Sequence, residues 1–227
     1  LPKKISSSRR IFCSEKFRWE MLKDHTNKLS GDIFVFRHAF PQGKTWYTEG
    51  SNSEFVEGVM AFDFKKEYKE FYMPKNKPEI VNVPKANYIA VRGKGNPNEE
   101  GGAYQQAISV LYAVAYTLKM SYKTDYKIEG FFEYVVPPLE GFWWQDDVEG
   151  VDYTNKSAFN WISVIRLPDF ISKADFDWAI ETATKKKKID CSSAEYLTID
   201  EGLCVQIMHI GSFDNEPATV ALMDTYL

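Results

Sequence analysis

The pattern of apolar and polar positions becomes regular only after about residue 60. Residues 86–92 alternate apolar and polar side chains, as a half-buried strand does. Leu111, Ala115 and Leu118 recur at the spacing of one helix face. Ser172, followed by Asp175 three positions later, is close to a helix capping box. The pattern predicts strands over residues 86–92, 126–136, 141–145, 158–167 and 202–213, and helices over residues 104–120, 172–188 and 217–227.

The first 59 residues lack such a pattern. Their β-like run is residues 33–36, and they carry ten Lys and Arg against seven Asp and Glu. We therefore expect residues 1–60 to be an N-terminal extension and residues 61–227 to be the folded domain. The Glu57-Gly58 codons before Met60 are compatible with a ribosome-binding sequence, so residues 1–59 are hypothesised to be translated upstream sequence. The alternative is a genuine, partly ordered extension.

Two stretches of the chain echo each other. In YIAVRGKG and in VQIMHIGS, a strand reaches Gly93 or Gly211 and is followed by a polar turn and a helix. The echo predicts two β-α-β-β modules that face each other. The first module has all its elements, whereas the second lacks its closing strands before Leu227. The expected fold class is α+β, with the second module incomplete at the C-terminus.

Charge and cysteine content narrow the possible partners. The formal net charge of −4 disfavours general affinity for nucleic acid. Cys13, Cys191 and Cys204 are far apart, so neither a zinc site nor a disulfide framework is indicated. No apolar run is long enough to span a bilayer and no signal peptide is visible. We expect a cytoplasmic protein without nucleic-acid or membrane partners.

Familiar catalytic signatures do not occur. The segment at Gly93 extends neither to GxGxxG nor to a Walker A loop, and no GxSxG elbow surrounds Ser212. The histidines form no metal-ligand pair, and His209 on its predicted strand is expected to be structural. We therefore expect no cofactor and no metal.

Aromatic residues are abundant, with 16 Phe, 13 Tyr and 6 Trp. Because side chains alternate along a strand, Trp143 and Trp144 should point to opposite faces, and Phe132 should share a face with Tyr134 but not with Glu133. A concave wall of such rings suits flat, apolar or cationic ligands. The alternative is that the rings fill the core between sheet and helices. The predicted ligand-binding residues are Phe132, Tyr134, Trp143, Trp144, Trp161 and Met208.

Two acids lie close to these rings in the sequence, Glu133 and Glu140. A carboxylate beside an apolar wall is partly desolvated, so its pKa tends to rise, as a general base requires. Both are candidates for a catalytic role, and the sequence does not choose between them.

Three stretches together resemble the GyrI-like small-molecule-binding family. They are YMPKNKPEIVNVPKANYIAVRGKGNPNE, KIEGFFEYVVPPLEGFWW and MHIGSFDNEPATVALMDTYL, and the resemblance covers about residues 61–227. It implies a fold similar to the effector-binding domains of multidrug-responsive activators, with a duplicated β-α-β-β unit and a ligand cleft between the halves. Because some stand-alone members hydrolyse cyclopropane-bearing DNA-alkylating natural products, it also implies a detoxification role. The family's pocket glutamate is expected in a segment that follows Leu227.

Two other functions remain open. The chain could sequester or sense ligands without changing them, although residues 1–59 show no helix-turn-helix pattern that would indicate an attached regulator. It could also bind a protein, as a gyrase inhibitor does, but no residue specifically supports that role.

Overall fold

A computed structural model describes residues 17–21, 33–39, 61–146, 148, 152–211 and 215–226, the first two ranges by the course of their backbone. The strands are β1 Phe17–Met21, β2 Ile33–Ala39, β3 Phe62–Asp63, β4 Glu79–Val83, β5 Ala86–Lys94, β6 Tyr134–Val135, β7 Leu139–Gln145, β8 Phe159–Arg166, β9 Glu195–Ile199 and β10 Gly202–Ile210. The helices are α1 Phe64–Glu67, α2 Lys69–Tyr72, α3 Ala103–Lys119, α4 Lys173–Lys187 and α5 Glu216–Tyr226.

Eight of these strands form one antiparallel sheet in the order β4-β10-β2-β1-β7-β8-β5-β9. In the centre, β7 lies between β1 and β8, so that Glu140 is opposite Glu20 on one side and Val164 on the other. The short strands β3 and β6 pair in parallel away from this sheet. Mixed helices and antiparallel strands confirm the predicted α+β class.

The two long helices begin and end within one residue of the predicted bounds. In α4, the Ser172 hydroxyl accepts a hydrogen bond from the Asp175 amide at 3.2 Å, and the Asp175 carboxylate accepts one from the Ser172 amide at 2.9 Å. This capping box satisfies backbone donors that the first turn leaves without partners. Helix α3 buries Leu111, Val114 and Leu118 completely, which is the apolar stripe of its sequence.

The sheet has a helix face, covered by α3, α4 and α5, and an opposite face. Trp143 and Trp161 lie on the helix face in one core with Tyr104 of α3. Phe142 and Trp144 belong to a separate apolar cluster on the opposite face. The prediction that Trp143 and Trp144 point to opposite faces is therefore confirmed.

The prediction of a strand over residues 126–136 is wrong, because of these residues only Tyr134 and Val135 are in strand conformation. Gly130, with φ of 71°, turns the chain in the left-handed region. Beyond it Phe131 and Tyr134 both pack on Phe170, at ring-centroid distances of 5.6 Å and 5.9 Å. The predicted alternation of faces fails here because a turn followed by ring clustering replaces the regular pleat.

Other elements were not predicted. Strands β4 and β9 are the two edges of the sheet and carry many polar or exposed side chains, so they lack a clear apolar period. Residues 64–72, for which no element was predicted, form α1 and α2. From residues 1–60, the structure describes β1 as well as β2, whereas one β-like run was predicted.

The predicted first module corresponds to β5, α3, β7 and β8, in which β8 pairs with both β5 and β7. Strand β10 and helix α5 repeat the strand-helix start of that unit, and β2 and β1 lie next to β10 in the sheet. The duplication itself stays a prediction. Among the helices the structure describes, none has the length and apolar character needed to cross a membrane.

Candidate ligand-binding site

An aromatic cluster covers part of the opposite face. Phe64 from α1 and Tyr72 from α2 are buried there with Tyr134 of β6, and they pack against Val83 and Cys204 of the two neighbouring strands β4 and β10. The spacing of rings in the sequence explains this arrangement, since Phe64, Tyr68, Phe71 and Tyr72 recur at the spacing of one helical stripe. The cluster therefore joins the start of the domain to its sheet.

A cavity of about 280 Å³ opens at the outer side of this cluster. Its walls are mainly aromatic rings, and one carboxylate lies among them. The Phe132 and Phe170 rings meet edge to face with centroids 4.8 Å apart, and Phe62 meets Phe132 at 5.5 Å. The lining residues are Phe62, Phe64, Tyr68, Gly130, Phe132, Asp169 and Phe170. Such a mainly apolar concavity with few polar groups is typical of small-molecule sites.

A buried arginine lies against two of the wall rings. The guanidinium carbon of Arg166 is 4.6 Å from the ring centroid of Tyr68 and 5.4 Å from that of Phe64. Arg166 is 7% exposed, and its Nε is buried without a hydrogen bond to any residue that the structure describes. Across that same part of the chain, no carboxylate lies within ion-pair distance of it. The two rings are therefore the observed partners of this charge.

The inner side of the cluster holds a buried acid. Glu140 is 1% exposed, and one of its carboxylate oxygens accepts a hydrogen bond from the Tyr72 hydroxyl at 3.1 Å. Glu140 shares the opposite face with Phe142 and Trp144, because the three alternate along β7. Glu133, the other candidate acid, is exposed, and its carbonyl accepts from the Phe62 amide. The structure thus separates the two acids that the sequence left equal.

Strand β10 holds the segment around α2 in place. The side-chain amide of Gln206, which is fully buried, donates to the Glu70 carbonyl at 2.6 Å and to the Glu79 carboxylate at 3.1 Å. Two residues further on, the Met208 amide donates to the Lys75 carbonyl at 2.9 Å. Together these bonds hold the backbone at Glu70, in α2, and at Lys75, between α2 and β4, against strand β10.

The predicted ligand-binding residues fall in three places. Phe132 lines the cavity, and Tyr134 lies beside it in the buried part of the cluster, where burial raises the pKa of its hydroxyl. Trp144 and Met208 are half-buried elsewhere. Trp143 and Trp161 are buried on the helix face, in contact with Tyr104, and do not line this cavity. Ligand contact by these residues stays a prediction.

Several residues of the site were missed at the sequence level. Phe62, Phe64 and Tyr68 stand in a charged segment for which no element was predicted, although the spacing of their rings was a usable signal. The sequence pattern does not identify Arg166 as a site residue. It is the last residue of an apolar strand, where a polar side chain normally marks the end of the strand. Arg166 contacts α1 through Phe64, and these two residues are about a hundred positions apart in the chain.

The helix face holds a second buried glutamate. Glu216, in the first turn of α5, is 2% exposed and accepts a hydrogen bond from Tyr153. Burial raises the pKa of Glu216 to about 9, and the hydrogen bond from Tyr153 only partly offsets that rise. Nearby, His209 Nδ1 lies 2.7 Å from the Thr219 hydroxyl, a structural contact of the expected kind. Among the described residues, no group of three or more possible ligands could hold a metal ion.

The fold and the cavity define an α+β domain of the small-molecule-binding class. The sequence model of the GyrI-like small molecule binding domain matches residues 76–227, and the chain therefore belongs to this family. No curated protein shows a significant match.

Solved structures agree with this family. A hydrolase from Listeria innocua is 45% identical with a TM-score of 0.69, over 74% of this chain and 80% of that one. An uncharacterized conserved protein from Listeria innocua is also 45% identical, with a TM-score of 0.67 over 73% of this chain and 79% of that one. At this level of identity the likeness extends beyond the fold to the family.

Proposed function

We propose that the protein binds flat, apolar molecules in the aromatic cavity and hydrolyses a strained ring that they carry, so that a cyclopropane-bearing genotoxin becomes harmless. The observation that carries this proposal is the buried Glu140, held by Tyr72 within the aromatic cluster whose outer rings line the cavity. Glu140 does not itself line the cavity, so the proposal requires the strained ring of the guest to reach past the outer rings to this acid. Family membership supports binding, and the hydrolase from Listeria innocua supports a hydrolytic reaction.

The proposed reaction adds one water across the cyclopropane. The water oxygen bonds to a ring carbon while Glu140 takes one of its protons as general base. The carbon–carbon bond breaks, and its electron pair moves into the conjugated system of the drug to form a phenolate. The proton held by Glu140 then returns to the phenolate, so the product differs from the drug by one water and the carboxylate is regenerated.

The residues around Glu140 fit this role in two ways. The hydrogen bond from Tyr72 fixes the orientation of the carboxylate, which lowers the cost of positioning it for the reaction. The surrounding rings keep bulk water away, so that charges interact more strongly than they do in solvent. An exposed acid such as Glu133 lacks both advantages.

Mass spectrometry tests the proposal. After incubation with a DNA-alkylating natural product that carries an activated cyclopropane, the protein should convert the drug to a product heavier by one water. Glu140→Gln removes the base with little change in shape, and we expect the rate to fall by about 100-fold or more. Glu133→Gln is the matched control, because it makes the same change at an exposed neighbour, and should retain activity.

Two results would reject parts of the proposal. Saturable binding with the drug recovered unchanged would leave a sequestering or sensing module, which is the main alternative. Loss of activity in Glu133→Gln rather than Glu140→Gln would reject the assignment of the base. A role as a gyrase-inhibitor-like protein has no specific observation in its favour.

We also propose that this detoxification takes place in the cytoplasm. Cys191 is a buried free thiol, which is compatible with a reducing compartment. Fractionation of cells that produce the natural protein tests this, and recovery in a secreted fraction would contradict it.

A further inference from the structure

A positive charge lies behind two of the rings that line the cavity. Phe64 and Tyr68 line the cavity, and both rings also contact the guanidinium of Arg166. Arg166 itself does not line the cavity. The charge therefore lies behind the rings that a guest would touch in front.

This arrangement changes the kind of ligand that the rings favour. Aromatic rings attract cations through the negative potential of their faces. Here that potential is already used by Arg166, and a second cation stacked on the same rings would lie within about 8–10 Å of a like charge. Ring content alone predicts that cationic ligands are among those that bind. The repulsion between such a ligand and Arg166 opposes that prediction.

Asp169 is the carboxylate that lines the cavity and acts in the other direction, whereas Glu140, the buried acid of the cluster, does not line it. Burial decides between the charges of Arg166 and Asp169. The Asp169 carboxylate would attract a cation. Asp169 is exposed, however, so water and salt screen its field. Arg166 is 7% exposed and has no anionic partner within the described residues, so its field is screened much less. The repulsion from Arg166 should exceed the attraction from Asp169.

We infer that the cavity selects flat, ring-bearing molecules without a positive charge, and that Arg166 is the residue that determines this specificity. The inference rests on the proposed function, since it names the class of ligand for the same cavity. It predicts that neutral and anionic rings bind, and that cationic rings of the same shape are rejected.

Three probes of nearly equal shape test this selection: naphthylethanol, naphthylacetate and naphthylethylammonium. Dissociation constants are measured by calorimetry at low ionic strength, where the charge effect is largest. We expect the ammonium probe to bind the wild-type protein about tenfold more weakly than the neutral alcohol. This ranking needs no variant, so it holds as a test even where a substitution at Arg166 prevents folding.

Variants then identify the source of the ranking. Arg166→Met removes the charge but keeps an apolar stem, and we expect it to abolish the discrimination against the ammonium probe. Arg166→Lys keeps the charge and should retain it. Asp169→Asn removes the competing attraction and should weaken the ammonium probe further.

The outcomes separate the two proposals. If no probe binds the wild-type protein, the proposed cavity function fails and the inference fails with it. If the probes bind but the ammonium probe binds as tightly as the alcohol, the binding function stands and the charge selection is overturned. Discrimination that persists in Arg166→Met would overturn the role of Arg166.

Discussion

Trp143 and Trp144 are adjacent in the chain, yet they belong to different parts of the molecule. Trp143 lies on the helix face, where it shares one apolar core with Trp161 and Tyr104. Trp144 lies on the opposite face, which also carries Glu140 and leads to the aromatic cluster. An aromatic ring on the first face stabilises the fold, whereas rings on the second can also meet a ligand.

Packing around the two tryptophans of the helix face is tight. A Cβ at Gly93 would lie 2.2 Å from the Trp161 ring, and one at Gly141 would lie 2.7 Å from Trp143 Nε1. Trp161 therefore needs a glycine, Gly93, on the neighbouring strand β5, and Trp143 needs one, Gly141, on its own strand β7. Burial also raises the pKa of Tyr104 to about 12, as expected in a dry environment. Beside Phe132, by contrast, the described residues enclose a cavity of about 280 Å³.

The largest difference between the faces should appear when the tryptophans are truncated. Trp161 is 1% exposed, so Trp161→Ala should lower the free energy of unfolding by about 3–5 kcal/mol through a large internal cavity. Trp144 is half-buried, and Trp144→Ala should lower it by less than half as much. Urea unfolding measures both. Equal losses would mean that the two faces are equally packed.

The next effect depends on pH. Because the pKa of Glu216 is raised to about 9, this acid stays protonated in the folded protein while it ionises in the unfolded chain. Wild-type stability should therefore fall as pH rises from about 5 to about 8, by up to about 1.4 kcal/mol per pH unit. Glu216→Gln cannot ionise, so it should lose this slope and become the more stable protein at pH of about 8.

Asp175 on the same face provides a control of opposite sign. Burial raises its pKa, but hydrogen bonds from Ser172 and Tyr126 outweigh burial, and the net shift is downward. Asp175 therefore stabilises the folded state at neutral pH, and this stabilisation is lost as pH falls. The loss of unfolding free energy caused by Asp175→Asn should shrink towards acid pH.

For Glu216, a difference in unfolding free energy between wild type and Glu216→Gln that does not change with pH would contradict the burial of this acid.

A smaller effect tests the contact between Gly93 and Trp161. Gly93→Ala forces a methyl group into the indole ring, and overpacking of this kind should cost about 1–3 kcal/mol. The same change in a Trp161→Phe background should cost less, because the smaller ring leaves room. A double-mutant cycle measures this coupling. Additive costs would show that the ring is not what Gly93 accommodates.

The smallest effect on stability should come from the cavity wall. Phe132 is 45% exposed, so Phe132→Ala should change the free energy of unfolding by less than about 1 kcal/mol. It should nevertheless weaken the binding of naphthylethanol by about tenfold or more, because a stacking ring is lost. Calorimetry measures the affinity. A stable variant with unchanged affinity would remove Phe132 from the ligand site.

Elements with a strong local signal could be predicted from the sequence. The apolar period of α3, the capping box of α4 and the apolar runs of β5, β8 and β10 all gave the correct type of structure. Edge strands β4 and β9 could not be predicted, because half-exposed strands carry no consistent period. The turn at Gly130 was missed because its conformation serves a ring cluster that includes the distant Phe170.

The site was predicted less well than the fold, for a physical reason. Alternation assigns Trp143 and Trp144 to different faces but does not say which face the helices cover. Likewise, Glu133 and Glu140 look alike in the sequence, and only tertiary packing buries one of them. The contact of Arg166 with Tyr68 joins two remote segments and has no local signature.

The central claim is that flat guests bind on the opposite face, in the cavity beside Phe132. Crystals soaked with a brominated naphthylethanol test it directly, because the anomalous signal of bromine locates the guest. The account predicts a peak in the cavity that Phe62, Phe132 and Phe170 line. A peak between α3 and the sheet, beside Trp143 or Trp161, would contradict it.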